Sequence, residues 1–175
     1  MKILLHICCA PCAIVPVASL RKDNFDVMGY FYTHNIHPYT ECLKRRDTLE
    51  AYARTIDLRV IYSEGYEIEN FLRNIAFREN ERCAFCYYDR LRCTALVAKR
   101  GKFDYFTSTL LYSKFQQHEE IRSTGISVGK SIGVPFLYED FRTGWKDGIE
   151  ASKKLQMYRQ SYCGCIYSEK ERYYK

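Results

Sequence analysis

Residues 2–12, KILLHICCAPC, run from one short apolar stretch straight into three cysteines. KILLHI reads as a buried strand, and Pro11 marks a chain that has already left it. AIVPVASLRK (13–22) follows as a helix, with Pro16 accommodated in its first turn. The same alternation continues outward. FDVMGYFYT (25–33) is a second strand, and YTECLKRRDTLEAYARTI (39–56) a helix with Cys42, Leu49, Ala53 and Ile56 on one face, interrupted near its start by Arg45 and Arg46. DLRVIYS (57–63) is a third strand, EIENFLRNIAF (67–77) and FCYYDRLRCTALVAKRG (85–101) are helices, and Gly101 is the cap of the second. FDYFTST (103–109) is a fourth strand, KFQQHEEIRSTGISVGKSIG (114–133) a helix weakened by Gly125 and Gly129, and VPFLYE (134–139) a short fifth strand. GWKDGIEASKKLQMYRQ (144–160) is the last helix, and SYCGCIYSEKERYYK (161–175) a polar tail that returns to the site or frays. Strand and helix in turn predict one α/β domain over 1–175, with a roughly five-stranded parallel sheet and a cysteine-containing C-terminal tail.

The chain has no run approaching the ~20 apolar residues that a membrane span needs, and its N-terminus lacks the order of a secretory signal. A cytoplasmic protein without a membrane partner is expected. In that reducing compartment nine cysteines point to metal or redox chemistry rather than to stapling. The net charge of +6 is compatible with an anionic partner and equally with a solvated basic surface.

In an open parallel sheet, ligands bind beyond the carboxyl ends of the strands. There the sequence places Cys8, Cys9 and Cys12, then HNIHP (34–38), EGY (64–66), LLYSKFQQ (110–117) and DFRTG (140–144). Neighbouring side chains of a strand face opposite ways, so Cys8 and Cys9 serve one centre only if the strand has ended before them. Two adjacent thiolates suit a polynuclear cluster better than a single tetrahedral ion. Cys83 and Cys86 form a CxxC pair at the start of a helix, whose terminus favours thiolate. Together the two pairs supply the four thiolates of an iron-sulfur cluster, with a structural four-cysteine zinc site as the competing reading. Cys163 and Cys165 flank one glycine; they either form a strained, easily reduced disulfide that relays electrons, or bind a second metal with Cys12. Cys42 and Cys93 read as core residues, and so does His6 inside its strand. His34 and His37 lie in a loop that can touch substrate. Tyr32, Tyr112, Tyr162 and Phe115 are candidates for stacking on a base.

CCAPC, HNIHPYTECLKRR, RCAFCYYDRL, TSTLLYSKFQQ, EDFR and YRQSYCGCIYS, in this order through nearly the whole chain, resemble the cobalamin-independent epoxyqueuosine reductases, the QueH family. The resemblance implies a Rossmann-like (HUP-type) three-layer fold and the last step of queuosine biosynthesis, reduction of the epoxide of epoxyqueuosine in a tRNA anticodon loop. It implies that Cys8, Cys9, Cys83 and Cys86 hold a [4Fe-4S] cluster, that Cys163 and Cys165 are redox-active, and that an additional iron sits nearby, with Cys12, Cys163 and Cys165 as candidate ligands. Thr33 and His34 replace the first two residues of the family's NPNIHP form, leaving Asn35, His37 and Arg46 as the residues to carry over. Asn35, Arg46, Arg142 and Arg159 are expected to hold base, ribose or phosphate, and His37 or Tyr112 to donate a proton. The partners are then tRNA carrying epoxyqueuosine at the wobble position and a separate electron donor. Two other classes remain open: a zinc-stabilised RNA-binding module, and a thiol-disulfide oxidoreductase using the CGC pair. An ATP-using nucleotide-activating enzyme ranks below them, because the loop after the first strand lacks a glycine- and serine-rich phosphate cradle.

Overall fold

Residues 1–174 are described by a computed structural model. The first strand, β1 (Lys2–Ile7), is buried from Ile3 onward, which forces it into the middle of a sheet covered on both faces. Four parallel strands lie in the order β3-β2-β1-β4, with β2 at Asp26–Phe31, β3 at Val60–Tyr62 and β4 at Tyr105–Ser108. β1 pairs with β2 from Lys2 opposite Asp26 to Ile7 opposite Phe31, and with β4 from Ile3 opposite Tyr105 to His6 opposite Ser108. Gly29 of β2 leaves room for Ile7, whose Cδ1 would stand 2.8 Å from a Cβ there. His6 is fully buried, and its Nδ1 is 2.8 Å from Ser108 Oγ across the β1/β4 ladder, which accounts for it as a core histidine.

Seven α-helices connect and cover the strands: α1 (Ala10–Lys22), α2 (Tyr39–Thr55), α3 (Ile68–Ile75), α4 (Arg82–Arg100), α5 (His118–Ile132), α6 (Trp145–Lys154) and α7 (Ile166–Tyr173). α1 packs on α2 and α6, whereas α4 packs on α5 and on β1 and β4. The chain crosses from β1 through α1 to β2 in one direction along the sheet and from β3 back to β4 in the other, and the general right-handedness of such crossovers puts these two groups of helices on opposite faces.

Two sequence expectations change. VPFLYE does not make a fifth strand; it runs beside β4 with a single bridge, Phe106 to Phe136. Pro135 has no N–H to give, and the side-chain hydroxyl of Thr107 takes the Leu137 carbonyl at 2.7 Å, so the ladder stops and the sheet has four strands. α1 begins at Ala10, three residues earlier than its apolar pattern indicated, so Pro16 lies inside the helix and leaves the Cys12 carbonyl without its helical donor. Of the two courses open to the C-terminal tail the structure takes the first: it returns to the site and ends in α7.

α5 passes unbroken through both glycines. A Cβ on Gly129 would stand 2.8 Å from the Val134 carbonyl oxygen, and one on Gly125 would overlap the Phe136 ring, so the two small residues let the helix lie against the segment beside β4. Gly129→Ala is therefore expected to destabilise by about 1–3 kcal/mol in urea unfolding, although alanine is the better helix former. A more stable variant would show that the close approach is dispensable.

Candidate functional site

β1 and β4 are neighbours from which the chain departs in opposite directions, so a crevice opens between their carboxyl ends. β1 stops at Ile7, Cys9 stands at the N-cap of α1 in extended conformation, and Cys12 lies in the first helical turn. Freed from strand alternation, the sulfurs of Cys8, Cys9 and Cys12 all lie within 4.8 Å of one another, and all three residues are buried. Thr109, just beyond β4, closes the pocket from across the crevice. Its hydroxyl accepts from the Cys8 N–H at 3.1 Å and donates to Cys8 Sγ at 3.4 Å.

Three touching thiols cannot titrate alike. Hydrogen bonds from Cys12 and Cys9, against the opposing effect of burial, hold Cys8 well below the usual thiol range. Burial pushes Cys9 up, and the bond to Cys8 pushes Cys12 up. The trio therefore favours one negative charge, centred on Cys8, and the amide of Gln160 donates to Cys9 Sγ at 2.9 Å.

Cys83 and Cys86 stand at the start of α4, whose N-terminus opens at the same sheet edge. Burial raises both thiols, Cys86 to about 11. One turn on, Arg90 is almost completely buried. Its Nε donates to Cys86 Sγ at 3.1 Å, its Nη2 donates to the Asn35 carbonyl at 2.9 Å, and its Nη1 is 3.5 Å from His6 Nε2. Among the described residues no carboxylate pairs with it. Burial opposes its charge, but the surrounding thiols Cys86, Cys163 and Cys8 outweigh that and keep it ionised. Nearby, Asn35 Oδ1 is buried without a partner while its amide lies 3.7 Å from Cys86 Sγ.

The segment carrying Cys163 and Cys165 is clasped by α2. Arg45, with no side-chain exposure, is held by Glu41 at 2.7 Å and donates to the carbonyls of Cys163 at 2.9 Å and Tyr162 at 3.0 Å. Tyr158 donates to the other Glu41 oxygen at 2.5 Å, and Tyr162 to the His37 carbonyl at 2.6 Å. The His37 N–H in turn reaches the Gly164 carbonyl at 2.7 Å. A Cβ on Gly164 would stand 3.4 Å from Arg45 Nη1 and 3.7 Å from Arg90 Nη2. The backbone between the two cysteines thus passes between two buried guanidinium groups, and its φ of +156° is what favours glycine there.

A cavity of about 400 Å³ lies under this segment. Cys8, Cys12 and Cys163 reach it, Tyr112 and Trp145 form an aromatic wall, and Arg159 stands on its lining. Cys163 is open to the cavity and accepts from the Gln116 amide at 3.2 Å, whereas Cys165 starts α7 beside Ser168. The volume suits a ligand of nucleoside size.

Residues 3–171 match the family described as epoxyqueuosine reductase QueH. The chain belongs to the epoxyqueuosine reductase QueH family. The QueH protein of Dehalococcoides mccartyi is 34% identical over 174 residues, covering 99% of this chain and 96% of that one. The QueH protein of Thermotoga maritima is 33% identical over 180 residues, covering 97% and 91%. Among solved structures, the U34-tRNA thiolase NcsA from Methanococcus maripaludis with its [4Fe-4S] cluster superposes with a TM-score of 0.65 at 14% identity, over 98% of this chain and 63% of that one. Family membership makes the protein an oxidoreductase, and the structural likeness supports the layered α/β fold.

Within this QueH-family chain the residues singled out by sequence separate into groups. Cys8, Cys9 and Cys12 form one buried set, Cys86 and Asn35 meet at Arg90, Cys83 stands one turn before Cys86 at the start of α4, and Cys163, Tyr112 and Arg159 line the cavity. His37 is buried with both ring nitrogens engaged, Nε2 at 2.7 Å from the His34 carbonyl and Nδ1 at 3.3 Å from the Ile166 N–H. Arg46 is half-exposed and bonded to Asp47, and Arg142 is bonded to Asp140. Cys42 is core, with its thiol directed to the Thr33 carbonyl.

Arg45, Arg90, Gln116, Gln160 and Trp145 are site residues that sequence reading passes over. Two left a trace: Arg90 stands one turn after Cys86, and Arg45 one turn after Glu41 on the same stripe as Cys42 and Leu49. The glutamines come from separate loops, Gln116 within LLYSKFQQ and Gln160 within YRQSYCGC, and no pattern inside those stretches marks them as donors to sulfur.

Two outcomes follow from this geometry. Burial lowers the pKa of His37 to about 4, whereas the unfolded ring titrates near 6.5. The unfolded chain then binds more protons between these values, so stability is intact above about pH 6.5 and declines as pH falls toward 4, by about 1–2 kcal/mol at pH 5. Urea unfolding at pH 7 and pH 5 reads this, and His37→Gln is expected to shrink the difference by about that amount, the remainder coming from His6 and His118, whose pKa values burial also lowers. Arg45→Met removes the clasp and strands the Glu41 carboxylate, so trypsin is expected to cut at Arg159, Lys170 and Arg172 at least tenfold faster than in the unaltered protein. Arg45→Lys restores charge without the fork and is expected to rescue only in part.

Proposed function

We propose that this chain carries out the two-electron deoxygenation of epoxyqueuosine in a tRNA anticodon loop, the last step of queuosine biosynthesis. The supporting observation is a family member whose nucleoside-sized cavity is reached by thiols from two separate segments, Cys8 and Cys12 on one side and Cys163 on the other. In the balanced reaction an epoxide, two electrons and two protons give an alkene and water. Both carbon-oxygen bonds break, and an external electron donor supplies the electrons.

The donor set fits an anionic metal-sulfur group. Soft thiolates are the ligands such centres use, and the buried Arg90, without a carboxylate, leaves positive charge that an anionic centre would neutralise. Cys8, Cys9, Cys83 and Cys86 would hold a [4Fe-4S] cluster. Cys12 and Cys163, which reach the cavity, would with Cys165 hold an additional iron or act as thiols. When bound, such a centre supplies one-electron transfers and a Lewis-acidic position.

The remaining work falls to side chains. Arg90, Gln160 and Gln116 donate to the sulfurs of Cys86, Cys9 and Cys163 and keep these thiols oriented. Burial, with Cys12 and Cys9 nearby, pushes Tyr112 up to about 12, so it stays protonated on the cavity wall. Its hydroxyl donates to the Trp145 carbonyl at 3.1 Å and would turn to the departing oxygen as the proton donor. His37, neutral and engaged at both nitrogens, holds the CGC segment instead of donating. Arg159 on the lining would take ribose or phosphate oxygen.

Anaerobic incubation with iron and sulfide, a strong reductant and tRNA carrying epoxyqueuosine tests the reading by nucleoside mass spectrometry, with loss of one oxygen expected. Failure of that conversion with iron and sulfide bound would overturn it. Cys9→Ser or Cys86→Ser is expected to abolish visible absorption and turnover together, whereas Cys163→Ser keeps most of the absorption and loses at least a hundredfold in rate. Zinc without inorganic sulfide in the purified protein would favour a structural metal site instead.

A further inference from the structure

Of the four aromatics that the sequence offers for stacking, the structure commits three elsewhere. Tyr32 is buried and donates to Asp89 at 2.8 Å. Tyr162 spends its hydroxyl on His37 and its ring on Arg45, whose guanidinium carbon lies 5.7 Å from the ring centre. Tyr112 is buried, with its ring centre 5.1 Å from that of Trp145. Phe115 is different: it lines the cavity yet is 84% exposed.

A single exposed phenylalanine needs no explanation by itself. This one continues an aromatic row. Its ring meets Trp145 at 5.8 Å in a T-shaped contact, and Trp145 meets Tyr112, so three rings run from the buried wall to the rim. Cations accompany the row. Lys114 lies 5.8 Å over the Trp145 ring, and Arg159 and Arg172 stand on the lining of the same cavity. Among the described residues none of these three is paired with a carboxylate. Unpaired cations around open aromatic faces suit an unstacked nucleobase with its phosphates.

We propose that Phe115 is a base-stacking residue for a single-stranded RNA loop, receiving the nucleotide beside the one that enters the cavity, while Lys114, Arg159 and Arg172 take the phosphates. The proposal rests on the reading above for which nucleoside enters. A nucleotide drawn out of a loop leaves its neighbour without a stacking partner, and an open planar ring at the rim replaces the lost contact. A cavity that recognised only a free nucleoside would have no use for a ring outside it.

The test is equilibrium binding and steady-state turnover of tRNA carrying epoxyqueuosine, with the metal-loaded protein and its Phe115→Ala, Phe115→Leu and Phe115→Trp variants. Phe115→Ala is expected to weaken binding roughly ten- to hundredfold, with the loss appearing in KM rather than kcat. Phe115→Trp is expected to restore affinity and Phe115→Leu to fail, since leucine is apolar without a π-face. Lys114→Gln is expected to reduce the salt dependence of binding by about one phosphate contact. Thermal melting checks that the exposed substitutions leave the fold intact. Equal affinity for Phe115→Ala and the unaltered protein, or full rescue by Phe115→Leu, would overturn the proposal. So would a monomer-dimer equilibrium that Phe115→Ala abolishes while tRNA affinity stays constant, which would assign the ring to self-association. Binding is read separately from chemistry, so absence of turnover by the unaltered protein would count against the proposed function and leave the stacking comparison intact.

Discussion

The organisation of the site depends on two buried guanidinium groups. Arg45 comes from the face of α2 and Arg90 from the interior side of α4, and they approach the same short piece of backbone at Gly164. Burying an arginine is costly unless its charge and donors are satisfied, and the two solve this differently. Arg45 has the carboxylate of Glu41 and two tail carbonyls. Arg90 donates to a carbonyl and to the Cys86 sulfur and, among the described residues, has no carboxylate, so its positive charge is directed at the cysteines around it. The first arrangement fixes where the CGC segment runs, and the second favours negative charge on the cysteines around it.

The topology explains why such different segments converge. Placing β1 and β4 side by side, with helices leaving to opposite faces, opens a crevice at their carboxyl ends, and every thiol group arrives there by a different route. Cys8 and Cys9 follow directly from β1, Cys83 and Cys86 arrive at the N-terminus of a helix antiparallel to the strands, and Cys163 arrives from the tail. Tail residues make one wall of the cavity, so the shape of the cavity, the placement of Cys163 and the α2 clasp are one coupled property of this fold.

Much of this was legible in the residues. The period of the apolar runs indicates a parallel α/β fold, and the closeness of Cys8, Cys9 and Cys12 in the chain indicates the thiol group that the structure brings together after β1. The misreadings have local causes. The fifth strand looked regular because VPFLYE has strand-like composition, but a proline and a competing threonine hydroxyl end its pairing after one bridge. Pro16 was placed in a first turn because the apolar pattern begins at Ala13, while the helix itself begins at the thiol turn. Arg45 and Arg46 are one position apart on a helix, which turns a side chain by about 100° and here separates core from solvent.

Sequence by itself determined the chemistry available to this protein: soft ligands in three groups, a layered parallel fold to carry them, and membership in a reductase family, because these reside in residue type, spacing and order along the chain. Tertiary structure alone decided which cysteines touch, which arginines are buried, which thiol faces the cavity and which aromatic ring stays open. Those facts depend on contacts between residues dozens to more than a hundred positions apart, such as Arg45 with Cys163 and Cys8 with Thr109, and no local pattern encodes them.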